Sequence, residues 1–265
     1  MRTAVVTVVH GRHDHLALQL AGLAAQTRPA DRHVVVAMGD DGVRAAVGDR
    51  ATVVELPAAD RLPLAAARNA GAAAAIADGA QLLVFLDVDC VPAPTLVARY
   101  AAVAQDGVLD SGPVSYLPPP SAAGYDLATL HTLADPHPAR PVPAEGTVET
   151  AADHRLFWSL SFALTTGTWT RLGGFCEAYA GYGGEDTDFA ETAHAAGVPL
   201  RWVGGAAAFH QHHPVSRPPV EHLDDVLVNG RVFADRWGWW PMQGWLDAFA
   251  ERGLVRQTDD GWVAA

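Results

Sequence analysis

Two carboxylates, Asp87 and Asp89, stand one residue apart where the apolar run Leu82 to Leu86 gives out, with Val88 between them and Cys90-Val91-Pro92 behind. Such a run, bounded by Gly79 and by Pro92 and Pro94, is expected to form a strand covered on both faces, as in a parallel sheet. Ligands of such sheets sit beyond the carboxyl ends of the strands. Residues two apart on an extended strand point the same way, so Asp87 and Asp89 are expected to share one crevice. One would meet a ribose or water and the other a hard divalent cation, Mg²⁺ or Mn²⁺. From these residues alone the pair reads as a metal and phosphate site; the competing reading is an Asp-x-Asp that ends a strand and caps the next helix. Three other polar groups fall at the ends of expected elements: Asp40-Asp41, Glu185-Asp186 and the cluster His210, His212 and His213. The ordinary role of Glu185, Asp186 and Asp188 is the first turn of a helix, where acidic groups meet the positive end of the dipole.

These groups need a scaffold that brings strand ends to one edge. Thr3 to Val9 is a β-branched strand ending at His10-Gly11-Arg12, and Leu16, Leu20, Leu23 and Ala24 recur at helical spacing within residues 13–26. His33 to Met38 and Val53 to Leu56 read as further strands, residues 64–78 as an alanine-rich helix interrupted by Arg68-Asn69, and residues 93–104 as another helix. This alternation predicts an α/β domain with a mainly parallel sheet and right-handed crossovers. Further on, 108–117 reads as a strand. Residues 117–154 are proline-rich without a period and are expected to form a functional loop. Leu156 to Thr165 resumes strand character, Thr168 to Leu172 is a short helix, and a glycine-rich bend through Gly181, Gly183 and Gly184 leads into a helix opened by Glu185. Pro199 to Phe209 is the last expected strand, and about 219–254 is helical.

The 265 residues, 49% of them hydrophobic, suffice for a sizeable core, and a single domain is expected. All 18 basic residues are arginine, the formal charge is −12, and no basic run occurs. A nucleic-acid partner is therefore not expected. An acidic chain that handles a polyanion such as a diphosphate needs a metal ion and a few placed arginines. Two cysteines in unrelated contexts form no disulfide framework or zinc ribbon. With no signal-like start and no apolar stretch long enough to span a membrane, the expected location is cytoplasmic.

Taken in order, VVTVVHGR at 5–12, AAARNAG at 65–71, FLDVDCVP at 85–92, LGGF at 172–175, GYGGEDTDF at 181–189 and FHQHHP at 209–214 resemble the GT-A fold glycosyltransferases. The likeness is to inverting family 2 and to neighbours with a galactosyltransferase-type C-terminal half. It implies a Rossmann-like GT-A domain over 1–215, with a nucleotide-binding half to about 106 and an acceptor-binding half from 107, followed by a helical extension over 216–265. It also implies a nucleotide-sugar donor, UDP-linked, and a hydroxyl-bearing acceptor. Asp89 would coordinate Mn²⁺ or Mg²⁺ at the donor diphosphate together with His210 and His213, and imidazole ligands favour manganese. His212 would point elsewhere. Asp87, beside Val88, would meet the ribose or the sugar, and Arg68 would pair with Asp87 or with a phosphate. His10, Arg12 and either Asp40 or Asp41 fall where the nucleotide is held. Asp186 would be the catalytic base and Glu185 an acceptor-hydroxyl ligand, with Trp158, Tyr182, Gly183 and Gly184 around the acceptor. Inverting transfer needs such a carboxylate, which takes the acceptor proton as oxygen attacks opposite the leaving diphosphate. The competing readings are a nucleotidyltransferase on a similar sheet, which would normally open with a glycine-rich basic loop, and a non-catalytic sugar- or nucleotide-binding module.

Overall fold

A computed structural model describes residues 1–265. The first part of the chain runs β1 (Thr3–Val9), α1 (His13–Ala24), β2 (Arg32–Met38), α2 (Gly42–Val47), β3 (Thr52–Leu56), α3 (Leu64–Ala77), β4 (Leu82–Leu86), β5 (Cys90–Pro92) and α4 (Leu96–Val103). The rest runs β6 (Leu109–Ser111), β7 (Val114–Tyr116), α5 (Leu130–Leu133), β8 (Asp135–Pro136), β9 (Val148–Thr150), β10 (Ser161–Thr165), α6 (Thr166–Leu172), α7 (Glu185–Ala195), β11 (Leu200–Val203) and β12 (Ala208–His210). It closes with α8 (Leu223–Trp237), α9 (Gln243–Glu251), β13 (Val255–Thr258) and β14 (Gly261–Ala264).

The large sheet has the order β3-β2-β1-β4-β10-β6-β11-β9. Its first four strands are parallel, whereas β10 runs antiparallel to both β4 and β6. All seven residues of β1 and all five of β4 are buried, as expected of strands covered on both faces. On one face Ala4, Val6 and Val8 pack with the alanines of α3, while Val5 and Val84 face the side of α4. A Cβ on Gly71 would stand 2.4 Å from Val6 Cγ1, so this helix lies close because its residues are small.

Several sequence expectations change: the strand expected over 108–117 breaks at Gly112-Pro113 into β6 of the large sheet and β7 of a small one. Leu156–Thr165 is a strand only from Ser161, because residues 154–156 form a 3₁₀ turn. The stretch Pro199 to Phe209 splits at Gly204-Gly205, sending β11 to the large sheet and β12 to a small one of order β5-β12-β7-β8. The C-terminal extension is not helical throughout: α8 and α9 are followed by the β13-β14 hairpin, turned at Asp259-Asp260. Within the proline-rich segment lie the short α5, β8 and β9. No helix is long and apolar enough to cross a membrane.

Candidate active site

The parallel strands β1, β2 and β4 end together at Val9, Met38 and Leu86, and β10 enters at the same edge: Leu160 O accepts from Asp87 N at 3.0 Å. Asp87, Val88 and Asp89 are not on a strand. They form the turn between β4 and β5, closed by Cys90 N donating to Asp87 O at 2.8 Å, so a turn rather than strand alternation presents the two carboxylates. Buried Gln19 of α1 holds that turn. Its Nε2 donates to Asp87 O (2.6 Å) and Cys90 O (3.1 Å), and its Oε1 accepts from Thr7 Oγ1 (3.0 Å).

Strand β12 runs antiparallel to β5 with His210 opposite Cys90, and Gln211 N continues the ladder to Asp89 O at 2.7 Å. Pairing thereby sets two histidines against one carboxylate, with His210 Nε2 and His213 Nε2 each 3.6 Å from Asp89 Oδ2. The ligating atoms of Asp89, His210 and His213 lie within 4.8 Å of one another. Burial opposes ionisation of Asp89, but the neighbouring His213, His210 and Arg12 outweigh it and hold this carboxyl well below the usual range. Burial lowers the pKa of His210 in spite of Asp89, which favours the neutral imidazole a metal needs. One carboxylate and two imidazoles make a donor set that fits Mn²⁺. His212 stays out of this cluster; its backbone N–H donates to Tyr125 Oη.

At the edge where β1 and β2 end, Arg12 adopts a left-handed backbone (φ 52°) and pairs with Asp89. His10 Nδ1 lies 2.7 Å from Met38 O. Asp40 straps the loops after β1 and β2, accepting from Gly11 N (2.7 Å) and Gly42 N (3.0 Å) and contacting His13 Nε2 (2.9 Å). Asp41, its exposed neighbour, makes no such bond.

Arg68, 3% exposed, joins the two halves: Nη2 donates to Asp87 Oδ1 (3.0 Å) and Nη1 to Glu185 Oε1 (3.1 Å), with Phe175 stacked 5.2 Å beneath. Burial pushes Asp87 up to about 6, against the pull of Arg68. Asn69 fixes the register by exchanging hydrogen bonds with Phe175 N and Phe175 O, both 2.9 Å.

The three acids that open α7 do different work. Glu185, 6% exposed, belongs to Arg68. Asp188, 1% exposed, accepts from Tyr179 Oη (3.1 Å), Arg236 Nε (2.7 Å) and Trp237 Nε1 (2.8 Å), which anchors α8. Asp186 has no cationic partner: only Thr187 donates to it, from N and Oγ1 to Oδ1, leaving Oδ2 unengaged. Burial and the adjacent Glu185 charge push its carboxyl up to about 7.

Behind α7 the glycine bend rests on α8. Asn229 Nδ2 donates to Ala180 O (3.1 Å) and Tyr182 O (3.2 Å), and Asp225 Oδ2 accepts from Tyr182 N (3.0 Å). Gly183 has φ 87°, a backbone conformation that favours glycine, and a Cβ there would displace the flexible Met242 side chain; Gly184 precedes the first residue of α7. The Tyr182 ring stacks with His222 (4.3 Å) and Trp245 (5.5 Å). Trp158 lies edge-on to His137 (4.7 Å) and carries the Arg140 guanidinium 5.1 Å from its ring centre. Gln19, Asn229, Asp225 and Arg140 were not expected from sequence. Gln19 had one signal, a polar residue beside Leu20 on the apolar stripe of α1.

Residues 149–216 match a family described as the N-terminal domain of galactosyltransferase. Two curated relatives, both named validoxylamine A glucosyltransferase, come from Streptomyces hygroscopicus. The subspecies limoneus protein is 30% identical over 235 residues (74% of this chain, 49% of the relative), and the jinggangensis one 29% over 234 residues (74% and 52%). The chain thus spans about half the length of these relatives. Among solved structures, GalNAc-T7 with UDP, GalNAc and Mn²⁺ superposes with TM-score 0.59 at 16% identity, covering 89% of this chain and 50% of that one. TarS residues 1–349 of S. aureus with UDP-GlcNAc gives 0.59 at 15%, covering 88% and 66%. A Pyrobaculum calidifontis mannosyltransferase with GDP-Man and Mn²⁺ gives 0.51 at 18%, covering 95% and 76%. With its four parallel strands β3-β2-β1-β4, the antiparallel β10 and the small sheet that carries His210, this chain has the GT-A glycosyltransferase fold.

Proposed function

We propose that the chain is an inverting hexosyltransferase that moves a sugar from a nucleotide sugar, with UDP as the nucleotide, to an acceptor hydroxyl, with Mn²⁺ or Mg²⁺ as cofactor. The observation that carries this reading is the buried Arg68, tied at once to Asp87 and to Glu185, with Asp89, His210 and His213 gathered beyond one and the unpaired Asp186 beside the other. The likeness to glucosyltransferases and to UDP-bound GT-A structures supports the donor class.

In this reading Asp89, His210 and His213 hold the metal, which when bound offsets charge growing on the leaving diphosphate. Arg12 adds a second positive group next to Asp89. Arg68 keeps Asp87 ionised and oriented toward the donor while fixing Glu185 as an acceptor for a substrate hydroxyl. Asp186 takes the proton of the attacking hydroxyl on its unengaged Oδ2 as the acceptor oxygen bonds to the anomeric carbon. The bond from that carbon to the diphosphate oxygen breaks on the opposite face, and its electron pair leaves with UDP. A carboxyl raised to about 7 by burial and the neighbouring Glu185 is a better base than an ordinary aspartate. The Tyr182 stack and the face of α7 bound the acceptor side.

The test is release of nucleotide from a panel of sugar nucleotides, with and without Mn²⁺. Release that needs both the metal and one sugar nucleotide supports the reading; no metal-dependent release from any member of the panel overturns it.

A further inference from the structure

The chain has five tyrosines, and the hydroxyls of Tyr100, Tyr125 and Tyr179 form hydrogen bonds within the protein. Those of Tyr116 and Tyr182 form none, and both residues lie at the candidate site. The Tyr116 hydroxyl is open to solvent. The residue is partly exposed, and the only side-chain nitrogens or oxygens that are both fully buried and unpartnered belong to Arg140.

Strand pairing decides what stands beside that hydroxyl. Cys90, His210 and Tyr116 are paired across β5, β12 and β7, so their side chains form one row on one face of the small sheet. The Tyr116 ring accordingly lies 4.9 Å from the His210 ring, whose Nε2 is 3.6 Å from Asp89 Oδ2. The Asp89 charge acts on the Tyr116 hydroxyl, and Tyr182, 37% exposed, is influenced by Asp186, Glu185 and Tyr116 together. The phenol of Tyr116 is thus within electrostatic reach of the proposed metal ligands and of the bend beside the proposed base.

The order of the elements says which part of a nucleotide sugar comes to it. A nucleoside sits beyond the carboxyl ends of parallel strands, here β1 and β2, and Arg12, just after β1, pairs with Asp89. From Asp89 the proposed ligands continue through His210 toward Tyr116, away from β1 and β2. A diphosphate laid along them from the nucleoside brings its outer phosphate, the one that bears the sugar, to the phenol.

We propose that the Tyr116 hydroxyl donates a hydrogen bond to the sugar-bearing phosphate of the donor, which makes Tyr116 a further catalytic residue. This rests on the glycosyl-transfer reading above. As the bond from the anomeric carbon to the phosphate oxygen breaks, its electron pair stays on that oxygen, and a donor already in place stabilises the growing charge. The proton remains on the phenol.

Tyr116→Phe isolates the hydroxyl. It keeps the ring beside His210, and its melting temperature should match wild type because the lost hydroxyl has no partner in the protein. Calorimetric titrations of both proteins compare Mn²⁺ alone, then UMP and UDP in the presence of Mn²⁺. Mn²⁺ and UMP should bind the two alike, whereas UDP should bind the variant about tenfold or more weakly, the loss expected for a hydrogen bond to a charged group. Equal UDP affinity overturns the proposal and leaves ring packing as the role of Tyr116. A loss shared by Mn²⁺ would place the effect on His210, and a loss shared by UMP would place it on the inner phosphate; either outcome also overturns it. If UDP with Mn²⁺ does not bind wild type at all, the glycosyl-transfer reading fails and this inference with it; if UDP binds both proteins alike, only the role of Tyr116 falls.

Discussion

Replacing Arg68 by methionine, which keeps the volume and removes the charge, strands two carboxylates of unequal burial. The Asp87 side chain is 24% exposed and can recruit water, whereas that of Glu185 is 8% exposed and cannot. Removing one partner of a buried pair costs about 3–5 kcal/mol. At roughly 2–4 °C per kcal/mol for a chain of this size, the melting temperature should fall by about 6–20 °C. Most of the penalty comes from the stranded Glu185 charge, so adding Glu185→Gln should restore roughly 1–3 kcal/mol. Urea unfolding at neutral pH of wild type, Arg68→Met and the double variant measures both quantities, with the slopes checked for constancy. Arg68→Met within about 1 kcal/mol of wild type, the range of a surface pair, would refute the reasoning. So would a double variant less stable than Arg68→Met, since Glu185 would then be held by something other than this guanidinium.

Asp186→Asn should lower transfer about 10²- to 10⁴-fold, or roughly 3–5 kcal/mol of barrier, with UDP affinity kept. Because burial raises the folded-state pKa of Asp186 to about 7, wild-type kcat/KM should climb as pH rises through that value. The same shift means that Asp186 favours the folded state below its unfolded pKa and loses that contribution as pH rises through about 7, so at pH 8 the variant should melt no lower than wild type. A variant that transfers at the wild-type rate would remove Asp186 from the mechanism. Gln19→Leu should loosen the Asp87–Asp89 turn and weaken Mn²⁺ binding by about 10- to 100-fold, as lost partners of metal-site residues typically do; unchanged affinity by titration would mean that the turn holds itself.

Much of the site could be read from sequence because its residues stand where periodicity stops. Asp87, Asp89, Glu185, Asp186, His210 and His213 all lie at element ends, and the parallel core of β1, β2 and β4 is spelled out by unbroken apolar runs. What brings them together was less visible. Strand alternation was the wrong device for Asp87 and Asp89, since a tight turn held by Gln19 presents them, and a single glutamine in a helical stripe looks like any tolerated polar residue. His210 reaches Asp89 through the pairing of β12 with β5, which are separated by more than a hundred residues and share no local signal. The terminal hairpin carried only a weak one, the acidic pair Asp259-Asp260 at its turn between Gln257-Thr258 and Gly261-Trp262.

In the proposed mechanism Asp89, His210 and His213 would hold the ion through which UDP is bound. Calorimetric titration of UDP into wild type and His213→Ala, each with Mn²⁺ and with chelator, tests it most directly. The account predicts that UDP binds wild type only when Mn²⁺ is present and that His213→Ala, folded by circular dichroism, loses that binding by more than about 100-fold, the upper end of what partners of the ligands alone contribute. Equal UDP affinity with chelator, or in the variant, would contradict it.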